Sequence, residues 1–270
     1  MSDLWAKIGK LPPYKRLCLL VLAAYLAIAL LAPAVMPYSA RDFSHPPLVP
    51  PSSKHLLGTD ELGHDIFSLL LNGFRFTVFT ALIAGFLSAT LGTALAFISA
   101  YCGGAIDTAL HFFASLFLMV PELIVIMFIA VFARPNLKNT ILAIVFFSWV
   151  RVYQIMRAKL QDCLGNNRVV YILSLKGNIL DVARALFLDI LPIWSSFFVL
   201  QCNKAVMYET TLAYFGIGDP LAKTWGKLIK AAMDYPNLYY DAVFLWYLVP
   251  PLVAVLGLVV SLALLVSGEV

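Results

Sequence analysis

The sequence predicts an all-α, polytopic membrane protein with about six transmembrane helices. Three observations carry that expectation. Of the 270 residues, 61% are hydrophobic and only 13% are charged, whereas a soluble domain carries about 25% charged residues. The mean hydropathy is +0.88. The apolar residues also come in long uninterrupted runs, not in short alternating segments. Every backbone polar group inside a bilayer must be satisfied internally, so such runs favour helices over a β-barrel.

A helix needs about 20 mostly apolar residues to cross the hydrocarbon core. That length gives six candidate spans: Leu17 to Val35, Phe76 to Ala100, Ile106 to Phe132, Thr140 to Met156, Ile193 to Tyr214 and Ala242 to Val266. An even number places both termini on one side. The first run has no small-residue cleavage site ahead of a soluble region, and further spans follow it, so it reads as a retained helix.

Basic residues near spans mark the cytoplasmic side. Lys7, Lys10, Lys15 and Arg16 precede the first span; Arg151, Arg157, Lys159, Arg168, Lys176 and Arg184 fall in the connection between the fourth and fifth. Both regions are therefore expected in the cytoplasm. The loop 36–75 sets Arg41, Lys54 and Arg75 against Asp42, Asp60, Glu61 and Asp65, which suits the outside; Arg134 and Lys138 in a short outer loop run against the rule. The expected organisation is a cytoplasmic N-terminal segment, 1–16, and one transmembrane domain, 17–270. The net charge of +4 fits this topology and does not call for nucleic acid.

Cys18, Cys102, Cys163 and Cys202 are widely separated and form no C-x-x-C pair, so they read as free apolar cysteines. His45, His55 and His64 share the outer loop but lack ligand-pair spacing. A solvated loop is the expectation, with no metal site. The chain has no G-x-x-x-x-G-K-[ST] phosphate loop and no soluble stretch long enough for an ATPase domain. No paired nucleophile and base stands out, so a membrane-embedded enzyme is disfavoured. If transport is ATP-driven, the energy comes from another polypeptide.

The connection 157–191 mixes Val169, Val170, Ile172, Leu173, Leu175, Ile179, Leu180 and Val182 with polar residues, and Gly177–Asn178 punctuates its middle as a turn would. The expectation is two short amphipathic helices around a glycine turn at the membrane surface. They would serve as a knob for a partner or as a simple interfacial connector. Within the spans, Glu122, Lys204 and Glu209 are the candidates for a translocation pathway or its gating, since charges there usually face a partner or water. Lys204 and Glu209 are five residues apart, a poor spacing for one helical face. A Lys204 to Glu122 pair across helices is the alternative.

Leu57 to Ser68 reads LGTDELGHDIFS, and Gly73 and Arg75 follow. This stretch resembles the L-G-T-D-x-L-G-R-D-x-x-S-R-x-x-x-G-x-R signature of ABC-importer inner-membrane permeases of the dipeptide, oligopeptide and nickel family, the C-type permease subunit. Leu57, Gly58, Thr59, Asp60, Leu62, Gly63, Asp65, Ser68, Gly73 and Arg75 match; His64 and Leu69 stand where the family has arginine. Without the analogy, Gly58, Asp60 and Gly63 read as turn formers and Asp as a cap for backbone N–H groups. Tyr101, Gly103, Gly104 and Asp107 resemble the family's Y-x-G-G-x-x-D turn. Gly216, Gly218, Trp225 and Gly226 resemble its G-x-G and W-G outer segment, where Trp225 could anchor at the membrane interface. The resemblance spans Leu56 to Gly226.

The family's E-A-A-x-x-x-G motif, aligned on Gly177, puts Tyr171, Ile172 and Leu173 at its Glu, Ala and Ala, with Leu191–Pro192 as the following Leu-Pro. The resemblance therefore makes Ser174, Leu175, Lys176, Gly177, Asn178 and Asp181 the expected ATPase-coupling residues. It further implies a non-enzymatic subunit in the plasma (inner) membrane of a prokaryote, importing short peptides or nickel and metal chelates. The implied partners are a second homologous permease, two cytoplasmic ATPase subunits or a fused pair using ATP and Mg, an extracytoplasmic substrate-binding protein, and membrane lipid. A secondary transporter or ion channel working without ATPases is the other class.

Overall fold

The computed structural model describes residues 12–132, 136–240 and 242–267. Lys7, Lys10 and Arg134, used above for orientation, lie outside the described residues. Among those described the fold is all-α, and its only extended pairing is a single bridge between Thr59 and Asp65. Among the described residues, five helices are long and apolar enough to cross a membrane, or six if one bent pair is counted as a span.

Helix α1, Pro13–Val35, opens with proline in its first turn, where a missing N–H is harmless because that group has no intrahelical partner. The loop 36–65 leads to α2, Ile66–Cys102, whose N-cap Asp65 accepts from the Ser68 amide. At about 1.5 Å per residue α2 is roughly 55 Å long, well beyond the ~30 Å hydrocarbon core. It is the spine of the molecule. Helices α5, Leu137–Leu164, and α7, Ile179–Tyr214, pack along it.

Small residues make that packing close. A Cβ added to Gly92 would stand 2.6 Å from the Trp149 carbonyl oxygen on α5, and one on Gly85 2.5 Å from Cys202 Sγ on α7. Ala81, Ala84, Ser88 and Ala89 are buried between them. In a bilayer, helices gain little from hydrophobicity and much from such close backbone approach.

The expected third span is not one helix. It divides into α3, Gly104–Met119, and α4, Glu122–Phe132, bent by 88°. The cause is Pro121, which excludes Val120 from the helical region; Val120 is extended at φ −102°, ψ 134°. The expected connection 157–191 is also shorter than anticipated. Helix α5 continues to Leu164, α6 covers Asn167–Ser174, and α7 begins at Ile179 and runs unbroken through Pro192 into the membrane. Instead of two short helices there is one, followed by the foot of a spanning helix. The expected last span divides into α9, Val243–Tyr247, and α10, Val249–Val266. Before them, α8, Trp225–Asp234, packs against α7 and α10.

Candidate functional site

The signature segment is a hydrogen-bonded knot rather than a ligand site. Asp60 Oδ1 accepts from the amides of Leu62 at 2.9 Å and His64 at 2.7 Å, while Oδ2 lies 2.9 Å from His64 Nδ1. Thr59 Oγ1 donates to Pro46 O at 2.7 Å and accepts from the Val49 amide. Asp65 Oδ2 receives both the Ser68 amide and hydroxyl at 2.8 Å, and its Oδ1 lies 2.9 Å from His55 Nδ1. Gly58 and Gly63 have φ of +75° and +84°, and a Cβ on either would stand within 2.5 Å of a backbone oxygen. Leu57 packs on the core below. Arg75 is exposed on α2 and takes no part in this knot.

Two expectations are corrected here. The histidines are not a solvated loop: His55 and His64 are buried, each against an aspartate. His64, which stands where the family has arginine, spans from Asp60 to Lys223 Nζ, 3.4 Å from its Nε2. An imidazole protonated at Nδ1 satisfies both contacts, donating to Asp60 and accepting from Lys223. Nor does Trp225 anchor at an interface. It is fully buried over Gly73, where a Cβ would stand 2.2 Å from its ring, and its Nε1 donates to Leu70 O.

Replacing Asp60 by Ala strands three donors around a buried site, each costing roughly 1–3 kcal/mol. The expected result is loss of assembled, folded complex, read by size-exclusion chromatography of the solubilised membrane fraction. A variant that assembles normally but selects different cargo would make Asp60 a ligand residue instead.

At the other end of α2, Asp107 binds the Arg157 guanidinium through two nitrogens and also accepts from Ser99, whose hydroxyl lies 2.9 Å from Tyr153 Oη. The Gly103–Gly104 turn thus delivers an aspartate that ties α3 to α2 and α5. Arg157 belongs to α5 and not to the expected connection 157–191. The same correction applies to Arg151, near the middle of α5.

The intramembrane charges form two separate groups. Glu122, at the first position of α4, pairs with Lys204 of α7 and accepts from Ser148 Oγ of α5 at 2.8 Å. The Lys204 ammonium also stands 5.5 Å from the Tyr208 ring centroid. The pair is about one-fifth exposed at each side chain. Glu122 borders a cavity of about 260 Å³ at the Pro121 bend, lined also by Met119, Pro121, Phe147, Val150 and Arg151. Charges that are paired yet reachable can contact a polar solute without being stranded when it leaves.

Glu209 is different. It is buried, accepts from Thr77 Oγ1 at 3.1 Å, and shares a nearly filled pocket with Thr224 and Lys227. It joins α2 and α7 to α8, a tie between elements with no open path. Lys227 also donates to Asp219 O, and burial lowers its pKa from the ordinary lysine value.

The coupling residues form a helix stop and a helix start. The Lys176 amide donates to Leu173 O and the Gly177 amide to Ile172 O, closing α6 in a Schellman motif with Lys176 left-handed at φ +58°. A Cβ on Gly177 would stand 2.5 Å from Ile172 Cγ2. Asn178 and Asp181 form a reciprocal capping box at the start of α7. Ser174 Oγ donates to Tyr171 O. Val169 and Ile172 hold α6 against Cys163, Val182 and Leu186, leaving Tyr171, Leu173 and Leu175 exposed.

Comparison with known proteins now bears on this arrangement. No family model matches the chain. It is 28% identical to the dipeptide transport system permease of Haemophilus influenzae, over 89% of this chain and 83% of that one. It is 29% identical to the oligopeptide transport system permease of Bacillus subtilis, over 84% and 77%. The dipeptide transport system permease of Bacillus subtilis is 27% identical, over 90% and 79%. Over most of its length the chain is therefore similar to permeases of peptide transport systems. The permease is thus a multi-pass membrane protein whose relatives are transport subunits and not enzymes.

Proposed function

We propose that the permease is one membrane subunit of an ATP-driven importer of short peptides in a prokaryotic inner membrane, with both termini cytoplasmic. The observation that carries this reading is the similarity, across most of its length, to permeases named for dipeptide and oligopeptide transport. Those names favour peptides over nickel or other metal chelates as cargo. The working assembly would add a second homologous permease, two ATPase subunits or a fused pair using ATP and Mg, and an extracytoplasmic substrate-binding protein.

The architecture supplies a mechanical route. Helix α7 runs without a break from Ile179, beside the exposed α6, to Lys204 and Glu209. At about 1.5 Å per residue, Ile179 and Lys204 are roughly 38 Å apart on one rigid rod. ATPase closure acting on α6 would tilt or shift that rod, and so move Lys204 relative to Glu122 on α4. Alternation between inward- and outward-open states then follows from two packings of the same helices.

Purified alone, the permease should hydrolyse no ATP, since it lacks a phosphate loop. Hydrolysis and uptake of radiolabelled peptides should both appear on reconstitution with the ATPases and binding protein. Uptake driven by an ion gradient in vesicles containing the permease alone would overturn the reading.

A further inference from the structure

Arg151 stands near the middle of α5, one turn beyond Ser148 on the same face, and its side chain is exposed. It falls inside the expected span Thr140 to Met156, five residues from its cytoplasmic end. An arginine inside a span is costly unless it faces water or a counter-charge. Among the described residues it has no ion-pair partner, because Glu122 is already committed to Lys204. It lines the cavity at the Pro121 bend together with Glu122. The wall therefore carries one carboxylate and one cation around about 260 Å³ of space, and because Glu122 is paired with Lys204, the Arg151 charge is left without a counter-ion.

We propose that Arg151 is a carboxylate-binding residue of the translocation path, taking the C-terminal carboxylate of a peptide as it passes the Pro121 bend. The inference rests on the peptide-import reading above. A guanidinium offers two parallel N–H donors that match a carboxylate, which the Lys204 ammonium does not. A Glu122–Lys204 pair beside it leaves the site neutral when the carboxylate binds and singly positive when it departs. Arg151 thus attracts the one anionic group that every unmodified peptide carries, whatever its side chains. That suits a path whose selectivity among peptides is set elsewhere.

The test uses the complete transporter in proteoliposomes, with Cys102→Ser as background because Cys102 is the exposed native cysteine among the described residues. In that background Arg151→Cys should react with a membrane-impermeant sulfonated thiosulfonate at least tenfold faster than the chain that retains Arg151. A pool of di- to pentapeptides delivered by the binding protein should slow the reaction. Absence of labelling overturns the proposal, placing Arg151 against lipid or the second permease. For uptake of the same pool, Arg151→Gln should raise KM roughly tenfold or more, the scale of one charge-assisted hydrogen-bonding group, while Arg151→Lys, which keeps the charge but not the two parallel donors, should recover only part of that loss. An unchanged KM in Arg151→Gln overturns the carboxylate role. Failure of the unmodified complex to take up any peptide overturns the peptide-import reading itself, and with it this proposal.

Discussion

Replacing Lys204 by methionine will destabilise the assembled transporter, and adding Glu122→Gln to the same chain will restore most of what was lost. The single change strands a carboxylate at the Pro121 bend, with only neutral donors such as the Ser148 hydroxyl left to it. Breaking a buried pair costs about 3–5 kcal/mol because the surviving charge is uncompensated; these side chains are about one-fifth exposed, so solvent screening reduces the cost to roughly 2–3 kcal/mol. For a chain of this size that is a fall of roughly 4–12 °C in Tm, measured on the detergent-solubilised complex. The double variant has no stranded ion, and its Tm should return to within a few degrees of the starting value. Its transport then decides the role of the pair. Peptide uptake reduced tenfold or more in a stable double variant assigns the charges to the pathway; uptake at the original rate makes them a structural tie like Glu209. Equal Tm losses in the single and double variants would show that the two charges are not coupled.

Helix positions were legible in the sequence because the bilayer imposes length and apolarity on every span. What happens at a proline was not. Pro121 breaks the third span by 88° and Pro192 leaves α7 continuous, although both sit in apolar surroundings. At Pro192 the carbonyl accepts the Ser195 and Ser196 hydroxyls of the same helix, whereas the Pro121 bend is held by tertiary contacts, with Glu122 meeting Ser148 and Lys204 from two other helices. Sequence spacing carries no information on such partners.

The signature segment shows the same divide. That Asp60, Gly58 and Gly63 form turns could be read from residue type. That His55 and His64 are buried beside Asp65 and Asp60 could not, because their partners are fixed by how the loop folds back on itself. Arg151 was misplaced for a related reason. A basic residue near the end of an apolar run looks like the start of a cytoplasmic loop even where, as here, it falls inside the expected span Thr140 to Met156, and the continuation of α5 to Leu164 places it well within the helix.

Coupling is best tested away from Gly177. A tryptophan there would collide first with Ile172 of the same helix, where even a Cβ stands 2.5 Å from Cγ2 and 2.8 Å from the carbonyl oxygen. Lost transport would then report a deformed α6 as readily as a lost partner. Tyr171 and Leu175 avoid that ambiguity. Both side chains are 65% exposed, and the helix is held from its opposite side by Val169 and Ile172. Tyr171 also occupies the position at which the related motif carries its glutamate. Changing both to serine removes exposed apolar surface without opening a cavity, so the stability of the permease should shift by less than about 0.5 kcal/mol per site. If α6 seats in the ATPase, the variant should lose peptide-stimulated ATP hydrolysis and uptake together by tenfold or more, since apolar anchors at the centre of an interface carry most of its binding energy. Basal hydrolysis by the ATPase subunits should persist. Stimulated hydrolysis at the original level would remove this face of α6 from the coupling route and leave α7 to be driven from some other contact.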